Sequence, residues 1–294
     1  MSRVGILVRL LRINQWYKNI IIFLPLVFSL KFFLPDAVLI SFLGFIALCL
    51  VSSAGYIRND IKDFESDKLH PTKKFRPIPA GTVSKTQAVI IFIVLLISGL
   101  VLSFLLDWRF GIITILLIAN TEIYSNWLKK ILFLDILSIS GNFMIRAISG
   151  VILIQSPLSP WLILGIFFVA LFLAAIKRRN ELEVLKDSAQ QHREILGQYN
   201  KATLDSIILI TSIMVLTTYS LYAMDSVTQD WRLVITVPIV VYVIFRQIHL
   251  SFINQEKSIS DNILKDKGIT VAILVYIAVT IYLLYFVPPE FFAS

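Results

Sequence analysis

Apolar residues in this chain gather into nine long runs parted by short polar connections, at about residues 18–34, 37–57, 86–106, 109–128, 131–154, 160–177, 204–224, 231–249 and 268–287. At about 1.5 Å of rise per residue, a helix of about 20 residues crosses the hydrocarbon core of a bilayer, and these runs match that length. The first is short and is interrupted by Pro25. Inside hydrocarbon every backbone polar group needs an internal partner, and a helix supplies them all from its own chain. The pattern predicts an all-α polytopic membrane protein. It would be a single bundle of about nine transmembrane helices, residues 1–294 forming one domain with a polar cavity open to the cytoplasm. The basic N-terminus is not followed by a short apolar stretch ending in small residues, so no cleavable leader is expected.

Composition agrees: 57% of residues are hydrophobic, 16% are charged and the mean hydropathy is +0.81. A soluble domain is about 45–50% apolar and about 25% charged. Cys49 is the single cysteine, which excludes a disulfide framework or a thiolate metal cluster. All but four of the 27 lysines and arginines fall on one set of connections; the exceptions are Lys31, Arg109, Arg146 and Arg232. The positive-inside rule then places the N-terminus and the long loops at about 58–85 and 178–203 in the cytoplasm of a cell-membrane protein. The net charge of +8 reflects this bias and attraction to anionic lipid, and is no sign of nucleic-acid binding.

The stretch 59–81 carries the most chemistry. Asn59, Asp63 and Asp67 recur every four residues, so a helix continuing to His70-Pro71 would present them as one oxygen-rich stripe, with Tyr56 one turn earlier. Lys73, Lys74 and Arg76 follow in an extended, proline-rich turn. Carboxylates beside cations at a membrane edge suit a magnesium-bridged diphosphate, the acids holding the metal and the cations the phosphates. This points to an enzyme acting on a phosphorylated substrate at the membrane surface. His70, His192 and His249 show no partner pattern and read as structural.

A second polar group comprises Tyr124, Lys129, Asp135 and Arg146. Asp135 and Arg146 lie within apolar sequence, where ionised groups face a cavity or a partner. They are nearly three turns apart on one helix side, too distant for a close pair. Glu122 is also intramembrane and is expected to be paired. Near the N-terminus Arg12 and Tyr17 suit an interfacial anchor, while Lys18 is a site candidate. Lys177-Arg178-Arg179 reads as a cytoplasmic helix end. No Walker loop, dinucleotide-binding glycine pattern, zincin motif or nucleophile elbow is present.

Asn59-x-x-x-Asp63-x-x-x-Asp67 resembles the first aspartate-rich motif of the UbiA superfamily of intramembrane prenyltransferases. Gln15-Trp16-Tyr17-Lys18-Asn19, His70-Pro71-Thr72-Lys73 with Arg76-Pro77-Ile78-Pro79-Ala80-Gly81, and Tyr124-Ser125 with Leu128-Lys129, Asp135 and Arg146 are similar to its decaprenyl-phosphate phosphoribosyltransferase branch. Ile13 and the stretch Ile131–Phe133 depart from it in lacking prolines, and the second motif lacks the full aspartate pair. The resemblance implies Mg2+-dependent transfer of the 5-phosphoribosyl group from phosphoribosyl diphosphate to a polyprenyl phosphate, releasing diphosphate. It further implies that Asn59 and Asp63 bind magnesium, with Asp67 acting through water. Lys18, Tyr56, Lys73, Arg76 and Lys129 would hold the diphosphate substrate, Arg146 and Tyr124 the lipid phosphate, and Asp135 would steady the site. The alternatives are a sibling enzyme that moves a polyprenyl group from its diphosphate to an aromatic or lipid-alcohol acceptor, and a transporter of a phosphorylated metabolite. Oligomerisation stays open.

Overall fold

The computed structural model describes residues 3–157, 159–185, 194–224, 231–253 and 266–288. His192, Lys186, Arg193, Lys257 and Lys265 lie outside the described residues. Among the described residues there is no strand, and seven helices are long and apolar enough to cross a membrane. The protein is a multi-pass, all-α membrane protein.

The helices are α1 (Arg3–Leu10), α2 (Leu24–Phe28), α3 (Pro35–Lys62), α4 (Phe64–Leu69), α5 (Lys85–Leu106), α6 (Trp108–Asn126), α7 (Leu134–Leu153), α8 (Pro160–Leu185), α9 (Lys201–Ala223), α10 (Val237–Ile253) and α11 (Lys267–Phe286). Their ends follow local chemistry. Pro35 opens α3, where its missing N–H is no loss. Ser84 and Gln87 form a reciprocal capping box on α5. Asn200 and Asp266 accept the Thr203 and Ile269 amides at the starts of α9 and α11.

Two expected helices differ. Over 18–34 the chain forms a 3-10 helix, Ile13–Phe23, and then the short α2, rather than one span. Pro25 interrupts α-type bonding there, and the Leu24 amide bonds Ile21 three residues back. The acidic stripe is broken as well: α3 ends at Lys62, Asp63 takes φ −89° and ψ 11°, and α4 restarts at Phe64. Aspartate competes with the helix through its own side chain, which favours such a break. α6 has the length of a span, 19 residues, but carries Arg109, Glu122 and Asn126.

The described residues form two compact units. Of the described residues, the first holds those within 1–26, 31–126 and 145–156, and the second those within 27–30, 127–144 and 157–294. In the first, α3 packs along α5 and α6. Ile22, Ala47, Leu48, Phe110, Leu117 and Leu153 form one buried cluster. Leu10, Ile57, Ile78, Val83 and Ala88 form another, beside the polar stretch. Burial of Ile78 there, worth roughly 1.5–3 kcal/mol, pins the 77–83 turn onto α3. Gly81, at φ +74°, lets that turn close, with the Val83 amide bonded to the Pro77 carbonyl at 3.1 Å. In the second unit α8 and α9 pack around Phe172, Ala175, Ile176, Ile208, Val215 and Ile244. The outward faces are apolar too: Ile90, Val94, Ile97 and Leu105 of α5 are all exposed, as lipid contact requires.

Gly150 lies where α7 meets the 3-10 helix. A Cβ at this position would stand 2.2 Å from the Ile22 carbonyl oxygen. Gly150→Ala should therefore destabilise the protein by about 1–3 kcal/mol, because backbone rather than a flexible side chain must yield. Thermal unfolding in detergent measures this.

Candidate active site

The site is built around a carboxylate absent from the four-residue stripe. Asp60, on the last turn of α3, is only 2% exposed. A carboxylate so withdrawn from water needs cations, and it has two. Arg12 bonds it from the N-terminal segment, and Arg76 Nη1 donates to its Oδ1 at 3.0 Å. Arg12 sits at φ 50° and ψ 48°, a left-handed conformation unfavourable by about 1–2 kcal/mol for a non-glycine residue. The Asp60 bond and the Tyr56 ring, whose centroid is 4.8 Å from the guanidinium carbon, hold it there.

Arg76 also donates to Asp67 Oδ2 at 2.6 Å, and Lys73 Nζ stands 3.6 Å from Asp67 Oδ1. Asp67 is 1% exposed. Arg12, Asp60, Arg76, Asp67 and Lys73 thus form a chain of alternating sign. The turn pinned by Ile78 supplies Arg76, and His70 shapes its start by accepting the Thr72 amide at 3.2 Å.

The other expected residues fall out as follows. Asn59 donates to Ser125 Oγ on α6 at 3.5 Å. The half-buried Asp63 carboxylate has no hydrogen bond or ion pair among the described residues. Tyr124 is half-buried on α6, and Lys18 lies half-buried in the 3-10 helix with its ammonium 6.0 Å from the Tyr17 ring. Arg146 is buried and donates through Nε to Asn19 Oδ1 at 2.7 Å, while Asn19 Nδ2 reaches Cys49 Sγ at 3.3 Å. Glu122 pairs with Arg58, as expected of it.

Lys129 and Asp135 belong to the second unit. Lys129 is exposed in a 3-10 turn, Leu128–Lys130. Asp135 is fully buried, accepting from Arg178 Nε and from the Tyr199 hydroxyl, each at 2.6 Å. Burial, and then the bond to Asp135, push the Tyr199 phenol well above its ordinary range. Arg178 also bonds Glu181 at 2.8 Å, and Arg179 pairs with Asp205 at 2.5 Å. Sequence reasoning missed Asp60, Arg12, Asn19, Arg178 and Tyr199 as partners. The one usable signal was that Asp60 and Asp67 are seven residues, about two helical turns, apart.

Among the described residues no three carboxylate, histidine or cysteine side chains converge on a common point. What remains is an oxygen pair, Asn59 and Asp63, with Asp67 engaged by cations. Hard oxygens in that number fit a magnesium ion that keeps its waters and arrives with substrate phosphates.

Residues 22–265 match the UbiA prenyltransferase family. The chain belongs to that family. Among UbiA relatives, the decaprenyl-phosphate phosphoribosyltransferase of Mycolicibacterium smegmatis is 30% identical over 253 residues, 81% of this chain and 80% of that protein. The digeranylgeranylglyceryl phosphate synthase of Sulfolobus acidocaldarius is 32% identical over 131 residues, 44% of each chain. A UbiA homolog from Archaeoglobus fulgidus, solved bound to DMAPP and Mg2+, is similar with a TM-score of 0.70 at 14% identity, covering 95% of this chain and 99% of that one. The last likeness is one of fold.

The two kinds of acid should respond differently to neutralisation. Asp135→Asn removes the fully buried counter-ion of Arg178, which keeps its bond to the half-buried Glu181, and should cost about 1–3 kcal/mol of stability. Asp63→Asn removes no partner and should leave stability within about 0.5 kcal/mol while abolishing turnover. Paired unfolding curves and activity assays make the comparison.

Proposed function

We propose that this UbiA-family protein transfers the 5-phosphoribosyl group from phosphoribosyl diphosphate to a polyprenyl phosphate and releases diphosphate. The observation that carries the reading is Arg76, held between the buried carboxylates of Asp60 and Asp67, while Asp63, between those two acids in the chain, has a carboxylate without a hydrogen bond or ion pair among the described residues. A fixed guanidinium and an unengaged carboxylate on one short stretch of chain suit a diphosphate-metal complex. The name of the mycobacterial relative supports the phosphoribosyl donor and the lipid phosphate acceptor.

In this mechanism an oxygen of the lipid phosphate attacks the anomeric carbon of ribose. The bond from that carbon to the diphosphate breaks, and the diphosphate leaves with the electron pair. The nucleophile is already ionised near neutral pH, so no residue has to remove a proton from it. A bound magnesium ion, held by Asn59 and Asp63, would supply charge neutralisation to the leaving diphosphate. Asp67, engaged with Arg76 and Lys73, would reach the metal only through water. Arg76 forks onto phosphate oxygens, Lys73 adds a point charge, and Tyr56 and Lys18 flank the donor. Arg146, steadied by Asn19, meets the lipid phosphate with Tyr124: a guanidinium at membrane depth gains most from an anion delivered by the bilayer. The positive-inside bias supports a site facing the cytoplasm, where a soluble donor is available.

The sibling reading, polyprenyl transfer from a diphosphate lipid, is favoured by the likeness to the archaeal synthase and needs the same acidic pair. One experiment separates the two. Purified protein receives labelled phosphoribosyl diphosphate with polyprenyl phosphate, and in parallel a polyprenyl diphosphate with aromatic and lipid-alcohol acceptors. Labelled lipid should form only in the first mixture and should vanish with excess chelator. Arg76→Ala should raise the KM for the soluble donor by about tenfold or more, since a charge-assisted bond is worth roughly 1.5–3 kcal/mol. Product only in the second mixture would replace this reading with the sibling one.

A further inference from the structure

We infer that Asp60 is a positioning residue for the diphosphate site, acting through Arg12 and Arg76 rather than by touching metal or substrate. The inference rests on the proposed role of Arg76 as a diphosphate ligand.

Three observations carry it. Asp60 is 2% exposed and both its cationic partners reach Oδ1, so two positive charges already crowd the carboxylate. A divalent ion would be repelled there, whereas Asp63, one helical turn away, has no cation on its side chain among the described residues. Second, Asp60 joins elements far apart in sequence: Arg12 is 48 residues before it and Arg76 is 16 after it. It therefore ties the N-terminal segment and the proline-rich turn to the end of α3. Third, Arg12 accepts a left-handed backbone to make the contact, and Tyr56 lies under its guanidinium. Strain at such a point persists only where surrounding contacts hold it. Asp60 on one side and Asp67 on the other leave Arg76 a single orientation, so the diphosphate meets a guanidinium already aimed.

Charge alone predicts the opposite outcome from positioning, which makes the idea testable. Neutralising a carboxylate beside an anion site should tighten anion binding if only net charge matters. If Asp60 aims the cations, its loss should weaken binding. Asp60→Asn and Asp60→Glu are compared with wild type by steady-state kinetics and by calorimetric binding of inorganic diphosphate in magnesium. The expected result for Asp60→Asn is a rise of about tenfold in donor KM and in the Kd for inorganic diphosphate, with kcat within about threefold. The magnesium concentration giving half-maximal activity should not move, and Asp60→Glu should recover most of the affinity. A shifted magnesium requirement would make Asp60 a metal ligand and overturn the proposal. Tighter diphosphate binding, or unchanged binding with only a lower unfolding temperature, would overturn it too. If Asp60→Asn fails to fold, Arg12→Lys serves instead, since it keeps the charge, so that charge alone predicts no change, but loses the planar guanidinium that Asp60 and Tyr56 hold. Diphosphate affinity about threefold weaker is expected, and unchanged affinity rejects the inference. The probe is inorganic diphosphate, so the result does not depend on which group is transferred. A wild type that binds it normally but forms no phosphoribosyl lipid would reject the proposed activity and leave the positioning role standing.

Discussion

The bond from Asp60 to two arginines is the constraint on which the first unit depends. A carboxylate taken out of water loses several kcal/mol of solvation, and only close counter-charges with good geometry restore it. Arg12 and Arg76 do so from segments far apart in sequence. Hydrophobic contacts do the coarse placement: Leu10, Ile57, Ile78 and Val83 share one buried cluster, bringing the N-terminal helix, α3 and the turn within reach. The ion pairs then select one arrangement among those the cluster permits. Apolar contacts alone would leave the guanidiniums free to turn into solvent; the carboxylates alone would not fold the turn.

The same rule governs the buried charges elsewhere. Asp135 is answered by Arg178 and Tyr199, Arg179 by Asp205, and Arg146 by the amide oxygen of Asn19. The Arg146–Asn19 bond differs in kind, because its acceptor is an amide oxygen that orients the guanidinium without neutralising it, in keeping with the proposal that Arg146 meets the lipid phosphate.

Much of the fold was legible because membrane helices announce themselves by length and apolarity. The runs at 37–57, 86–106, 204–224 and 268–287 each fall within or nearly within one described α-helix. The first run was not legible in the same way. Hydropathy over 18–34 says nothing about whether backbone bonds close at three residues or four, and here they close at three over Ile13–Phe23, ahead of Pro25. The candidate site was half readable. Spacing by four picked out Asn59, Asp63 and Asp67, the last of which joins the Arg76 cluster, but a periodic rule assumes one unbroken helix and the chain breaks at Asp63. It also passed over Asp60, since a residue adjacent to Asn59 lies on another face of that ideal helix. Arg12 read as an interfacial anchor because its partner is 48 residues away, and no local pattern encodes such a contact. The partner of Asp135, Arg178, lies 43 residues on and is equally beyond the reach of a local pattern.

The division of labour among the acids also bears on why metal should be needed at all. Around the proposed diphosphate site, Arg12, Arg76 and Lys73 stand with Asp60, Asp63 and Asp67, three cations with three carboxylates. With Lys18, which in the proposed site flanks the donor, the protein charges there come to about one net positive before any ligand arrives, fewer than a diphosphate needs. A diphosphate ester carries several negative charges, and in a region shielded from water that excess is unfavourable. In the proposed reaction a divalent ion entering with the diphosphate would offset much of it, and would need only the oxygens that no cation occupies, those of Asn59 and Asp63. Had Asp60 and Asp67 been open as well, four oxygen-bearing side chains could have bound a metal tightly without substrate. Closing two of them with arginine and lysine would leave a site that favours the metal-diphosphate complex over the bare ion, in keeping with the proposed release of diphosphate.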